Sequence, residues 1–155
     1  LKKHLPHVQV FAIDISTAAL ETARQNAVLN NTPVTFIKAD ILNIDPVINL
    51  PAFDLIVSNP PYVTPADKQQ MHNNVVDFEP HTALFVPEND PLLFYNAIAD
   101  FAAVNLDKNG WLFFEINESY GQQTVDLIKS KPFKNINLKT DLYGKDRMVN
   151  ARLNS

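Results

Sequence analysis

Asn59-Pro60-Pro61-Tyr62 follows directly on an apolar run, Phe53–Ser58. Pro61 restricts Pro60, and Pro60 pushes Asn59 toward an extended backbone. Neither proline has an N–H to donate. The corner therefore offers carbonyls without competing donors, and Asn59 adds a side-chain carbonyl oxygen. Two acceptors in fixed positions suit a planar NH₂ group. The ring of Tyr62 can pack against a flat amide or base. An amide or arylamine nitrogen is a poor nucleophile because its lone pair is delocalised. Holding both hydrogens on acceptors fixes the nitrogen and favours a lone pair localised toward an electrophile. With a bound sulfonium methyl as electrophile the reaction is an in-line displacement, in which positioning is worth up to roughly 7–11 kcal/mol.

Two further polar residues end apolar runs. Asp14 closes Val8–Ile13, and Asp40 closes Val34–Ile37 through Lys38 and Ala39. A carboxylate at a strand tip can accept hydrogen bonds from ribose hydroxyls or an adenine amine. The alternative for Asp14 is a capping or turn role beside Ser16. For Asp40 it is an ordinary turn. Three such residues, Asp14, Asp40 and Asn59, on successive strand tips support one another, because ligands of open α/β sheets bind beyond the carboxyl ends of the strands.

The elements that must position them alternate. The Val8–Ile13 strand leads to a helix capped by Ser16, with an apolar stripe of Ala19, Leu20, Ala23, Ala27 and Val28, ending at Asn30-Asn31. A strand over 34–37 and a buried strand over 53–58 follow. Thr64–Pro91 is irregular, a connection long enough to carry function. A helix with a wide apolar face spans Leu92 to Val104. Asn109-Gly110 turns it into a strand, Trp111–Ile116. A short helix covers Gln122–Lys129. Two last strands, Phe133–Lys139 and Met148–Arg152, meet through the Leu142-Tyr143-Gly144 turn. This pattern predicts an α/β domain with a mostly parallel sheet. The final pair has no helix between its strands, so one of them runs antiparallel.

Composition bounds the rest. The 155 residues are 46% hydrophobic and 19% charged, as in a globular domain. There is no cysteine, hence no disulfide, thiolate metal site or cysteine nucleophile. No apolar stretch has membrane-helix length, and Leu1–His4 leads into a strand rather than a signal sequence. A cytoplasmic location is the default expectation. The net charge of −4 argues against a surface built for phosphate backbones. Lys129, Lys131, Lys134 and Lys139 read as a solvated face. His4, His7, His72 and His81 show no ligand spacing, so no metal is expected.

The corner, with "FAIDISTAALETARQNA" (11–27), "DFEPHTALF" (77–85) and "DLYGKDRMVNAR" (141–152), resembles the catalytic domain of the HemK/PrmC family. These enzymes use S-adenosyl-L-methionine to methylate the glutamine amide in the Gly-Gly-Gln motif of class I peptide chain release factors. The resemblance implies a Rossmann-like methyltransferase fold. It implies that Asp14 holds the cofactor ribose, and that Asp40 with the backbone of Ile41 flanks the adenine. Asn59 would lie between cofactor and substrate. Asn59 and the Pro60 carbonyl would accept from the glutamine amide, with Pro61 and Tyr62 shaping that side. Phe78, Glu79 and Pro80 would also face the substrate. Asp146-Arg147 would fix a turn. The partner would be a release factor, with no direct nucleic-acid or membrane contact.

The family opens its catalytic domain with a strand and a glycine-rich loop, after a helical N-terminal domain. Here no glycine precedes Gly110. The expectation is a partial catalytic domain over 1–155 that lacks this first, central strand and its loop, with Leu1–Leu5 as the tail of the following helix. Alone, it should bind cofactor weakly and lack activity. Two other readings stay open: a nucleic-acid adenine-N6 methyltransferase, which uses the same corner, and a non-catalytic binding module of the same fold.

Overall fold

The structure is a computed structural model and describes residues 1–45, 48–65 and 81–154. It divides into two compact units, Leu1–Asn49 and Leu50–Ser155. In the first, β1 (Phe11–Asp14) pairs in parallel with β2 (Thr35–Lys38), joined by α1 (Thr17–Leu29). Ser16 caps α1, its Oγ accepting from the Ala19 N–H at 3.2 Å. That satisfies one of the donors every helix start leaves open. The helix stops where Asn31 takes a positive φ of 52°, a conformation asparagine tolerates better than most residues. Ahead of β1, Leu5 N–H donates to Leu1 C=O, so the first five residues make one helical turn.

The second unit holds a four-stranded sheet in the order β3-β4-β6-β5: β3 (Phe53–Ser58), β4 (Leu106–Glu115), β6 (Asp146–Leu153) and β5 (Phe133–Thr140). β3 and β4 are parallel, and β6 is antiparallel to both of its neighbours. The antiparallel strand expected at the C-terminus is thus β6, and β5 again runs parallel to β4. Between β3 and β4 lie a short helix α2 (His81–Leu84) and α3 (Leu93–Asn105). A 3-10 turn (Glu118–Tyr120) and α4 (Gly121–Lys129) follow β4. The core is formed by Tyr95, Ile98 and Ala102 of α3, Leu112 and Phe114 of β4, Ile128 of α4 and Val149 of β6. Among the described residues no helix is long and apolar enough to cross a membrane.

Three sequence expectations change. The strand predicted from Trp111 begins at Leu106, but Asn109 has φ 64° and the register jumps there, from Phe53↔Leu106 to Leu55↔Trp111. Gly110 fits the break because a Cβ would lie 3.0 Å from the Phe53 carbonyl oxygen. The apolar stripe of α1 is only partly covered: Leu20 is buried, Ala23 and Ala27 are half-buried, and Ala19 and Val28 are exposed. The run over Phe53–Ser58 is not buried on both faces, since Leu55 is 42% and Val57 67% exposed. Interior strands of parallel sheets are covered on both faces. Among the described residues β3 pairs only with β4, and β1 only with β2.

Candidate active site

At the carboxyl edge of the first unit, Asp14 ends β1 and Asp40 follows β2. Asp14 Oδ1 accepts from the Ser16 N–H at 2.7 Å, and Asp40 Oδ1 accepts from the Leu42 N–H at 3.0 Å. Each is an Asx turn, in which the side chain holds its own backbone two residues on. The Ala39 N–H donates to the Asp14 carbonyl at 3.2 Å, tying the two strand tips together. The capping alternative for Asp14 is therefore real, but it engages one carboxylate oxygen only. Among the described residues, Oδ2 of each aspartate has no partner. Asp14 is exposed, and Asp40 and Ile41 are half-buried.

At the carboxyl edge of the second unit, Asn59, Pro60, Pro61 and Tyr62 leave β3 with no cis peptide bond among them. Asn59 is exposed, Pro60 buried, and Pro61 and Tyr62 half-buried. No described residue hydrogen-bonds the Asn59 side chain or the Pro60 carbonyl. The chain beyond is pinned by a parallel bridge, Val63↔Phe85, through Val63 N–H to Leu84 C=O and Val86 N–H to Val63 C=O at 2.8 and 3.0 Å.

Tyr62 is held at both ends by the tip of the neighbouring strand. Its hydroxyl donates to Glu115 Oε1 at 3.1 Å, and its carbonyl accepts from Asn117 Nδ2 at 3.1 Å. Asn117 is 7% exposed. Its N–H donates to the Tyr95 hydroxyl at 3.2 Å, and its Oδ1 accepts from the Ser119 N–H at 2.9 Å. Tyr95, fully buried, meets Phe114 edge to face. Burial, and then the nearby Glu115 carboxylate, raise the Tyr62 phenol above its usual range, against an opposing pull from Arg147. Burial raises Tyr95 further.

Glu115 and Asn117 were not singled out in the sequence. The rule that drew attention to Asp14, Asp40 and Asn59 points to polar residues at strand tips, and it applies equally to the end of β4. Their polar character at that strand end was legible, but their contact with Tyr62 was not. The Asp146-Arg147 expectation divides. The turn between β5 and β6 is fixed mainly by Asp141, whose Oδ1 accepts from the N–H groups of Tyr143 and Lys145. Arg147 pairs with Asp141 and Glu118, each at 3.6 Å. The Asp146 carboxylate instead packs against Gly121 at the start of α4, leaving no room for a Cβ there. Phe78, Glu79 and Pro80 lie outside the described residues.

Residues 1–78 match the family model described as "Methyltransferase small domain". The chain belongs to that family. This methyltransferase domain is 52% identical over 149 residues to the release factor glutamine methyltransferase of Flavobacterium psychrophilum, covering 96% of this chain and 52% of that protein. It is 43% identical to the one of Bacteroides thetaiotaomicron, covering 97% and 54%. It thus spans about half the length of the curated relatives it matches. Its fold is that of a methyltransferase from Pyrococcus furiosus, with a TM-score of 0.67 at 15% identity over 95% of this chain and 64% of that one. It is also that of the N-methyltransferase NodS from Bradyrhizobium japonicum in complex with S-adenosyl-L-homocysteine, with a TM-score of 0.57 at 13% identity over 99% and 72%. The methyltransferase domain is therefore Rossmann-like, as the family resemblance implies, and the α/β alternation read from the sequence agrees with it.

Proposed function

We propose that this chain carries the amide-accepting corner and the nucleoside-binding strand tips of a protein-glutamine N5-methyltransferase. Its target would be the Gly-Gly-Gln glutamine of class I peptide chain release factors. The observation that carries the reading is the corner itself. An exposed Asn59 side chain and an unpartnered Pro60 carbonyl stand beside a tyrosine clamped from behind, at the carboxyl edge of a methyltransferase sheet. The names of the relatives supply the substrate class, and the NodS complex supports the cofactor.

S-adenosyl-L-methionine would provide an electrophilic methyl group, the new N–CH3 bond forming as the S–CH3 bond breaks and the neutral thioether of S-adenosyl-L-homocysteine leaves. The residues present fit its nucleoside: Asp14 and Asp40 each keep a carboxylate oxygen without a described partner, and hydroxyls and an adenine amine need acceptors of that kind. In this reading Asp14 takes the ribose hydroxyls, while Asp40 and the Ile41 backbone flank the base. Asn59 Oδ1 and the Pro60 carbonyl each take one hydrogen of the glutamine NH₂. The nitrogen is then fixed, with its lone pair favoured to localise toward the methyl group instead of delocalising into its own carbonyl. Tyr62, beside Pro61, covers one face of the planar amide and excludes water. Glu79 would border the same substrate. No strong base is required, because the proton leaves only as the nitrogen acquires its fourth bond.

The test is methyl transfer from labelled S-adenosylmethionine by the natural full-length protein to purified release factor. The factor should be labelled, and the same factor with its Gly-Gly-Gln glutamine replaced should not be. Equal labelling of both refutes the target. Labelling of DNA or RNA adenine in place of the factor returns the adenine-N6 reading. No transfer to either favours the binding module.

A further inference from the structure

The last residue of β3, Ser58, pairs with Phe114. Glu115 is therefore the first residue of β4 to stand level with the corner as it leaves the sheet, and Asn117 lies just beyond it. Their two hydrogen bonds reach opposite ends of one residue, the hydroxyl and the carbonyl of Tyr62. Fixing both ends restricts how far the ring can swing at the corner. The anchors are themselves fixed. Asn117 has its backbone N–H on the Tyr95 hydroxyl and its Oδ1 on the Ser119 N–H. Glu115 sits within a strand bonded on both sides, to β3 and to β6. The Ile116 N–H donates to the Arg147 carbonyl at 2.9 Å, which locks the residue between the two anchors.

The charge arrangement agrees. Arg147 lies close enough to Tyr62 to oppose the effect of the Glu115 carboxylate. It also pairs with Asp141 and Glu118, and Glu118 in turn holds Lys145 at 2.9 Å. The phenol that Glu115 holds thus also lies near a guanidinium that is anchored to the β5–β6 turn.

We propose that Glu115 and Asn117 are positioning residues that act through Tyr62, setting how deeply its ring stands against the planar group held by Asn59. This rests on the reading of the corner as an amide site. A residue holding a wall of the site acts on the geometry of the reacting group and leaves cofactor binding untouched. A displacement of about 1 Å at such a site can cost on the order of a hundredfold in rate.

The natural full-length protein decides it, with Glu115→Ala, Glu115→Gln, Tyr62→Phe and the Tyr62→Phe/Glu115→Ala double variant. Glu115→Ala should lower kcat for release-factor methylation by at least about tenfold, with the Kd for S-adenosylmethionine unchanged. Glu115→Gln should recover most of that loss, because its amide oxygen still accepts from the phenol. In the Tyr62→Phe background, Glu115→Ala should add nothing. An equal drop in both backgrounds, or a parallel loss of cofactor affinity, would overturn the proposal. If Glu115→Ala does not fold, the Tyr62 phenol is titrated by NMR of ring-labelled tyrosine in Glu115→Gln, with Tyr62→Phe assigning the signal. It should ionise at lower pH than in the wild type, and an unchanged titration overturns the contact. A wild-type protein that does not methylate release factor counts against the substrate alone, and the titration then judges the clamp.

Discussion

α1 and α3 are both 13-residue helices with apolar residues at helical spacing, yet α1 buries only Leu20 while α3 buries Tyr95, Ile98, Ala99 and Ala102. The contrast extends to their units. Among the described residues, every buried hydrophobic side chain other than Leu20 lies in residues 50–155. The cause is what each helix has to pack on. α1 meets a two-stranded sheet of short strands, whereas α3 packs against β4, an interior strand of a four-stranded one. Two strands give too small an apolar face to shield a whole helix stripe, and isolated pairs are marginal in water. The acceptor corner thus stands on the unit that holds most of the buried core, while the carboxylates of the strand tips stand on the unit with little core.

The strongest way to break this comparison is to truncate one apolar side chain in each unit. Phe114 is nearly fully buried and touches Tyr95. Phe114→Ala should destabilise the protein by about 3–5 kcal/mol. Leu29→Ala, at the exposed end of α1, should stay within about 0.5 kcal/mol. Denaturant unfolding measures both. A loss of several kcal/mol at Leu29 would mean that the outer face of α1 is covered in the natural protein.

A second contrast separates the chemistry of the two tips, on the function proposed above. Asn59→Ala removes an acceptor for the reacting nitrogen, so kcat should fall on the order of a hundredfold with cofactor affinity kept. Asp14→Ala removes an acceptor for ribose, and one hydrogen bond to a charged group is worth about 1.5–3 kcal/mol. The cofactor Kd should therefore rise by roughly tenfold or more, with kcat at saturation far less affected. Isothermal titration beside steady-state kinetics separates the two. The same pattern at both residues would dissolve the division of labour.

How far these features were legible depends on the range of the interactions involved. The Ser16 cap, the Asn30-Asn31 stop, the Phe53–Ser58 strand and the antiparallel C-terminal strand follow from local pattern and short connections, and the structure has all of them. The corner was equally plain, because Asn-Pro-Pro-Tyr restricts its own backbone. What supports the corner was not plain. Tyr62 meets Glu115 and Asn117 across more than fifty residues, and only the β3–β4 register brings them level. Burial failed in the same way. "DLIVS" reads as a strand covered on both faces, but covering Leu55 and Val57 depends on neighbours that its own residues do not specify.

The smallest effect distinguishes three turns of one kind. Asp14, Asp40 and Asp141 each accept from the N–H two residues on. Only Asp141 adds a second backbone donor, Lys145, and a nearby guanidinium, Arg147. The Lys145 N–H foremost, then those of Tyr143 and Arg147, hold its carboxyl below the usual carboxylate range. A depressed folded-state pKa means the stabilisation is present above the unfolded value, about pH 3.9, and fades as pH falls through the folded one. The turn carrying Leu142 and Tyr143 should therefore stay ordered down to mildly acidic pH and loosen only below about pH 4. Asp141→Asn keeps the shape but removes the charge, so the acid-dependent part of the loosening should vanish. Amide shifts of Tyr143 and Gly144 followed through an acid titration report it directly. Unchanged titration curves in Asp141→Asn would show that the turn is held by its backbone alone, as Gly144 with its φ of 79° and its N–H on the Asp141 carbonyl would allow.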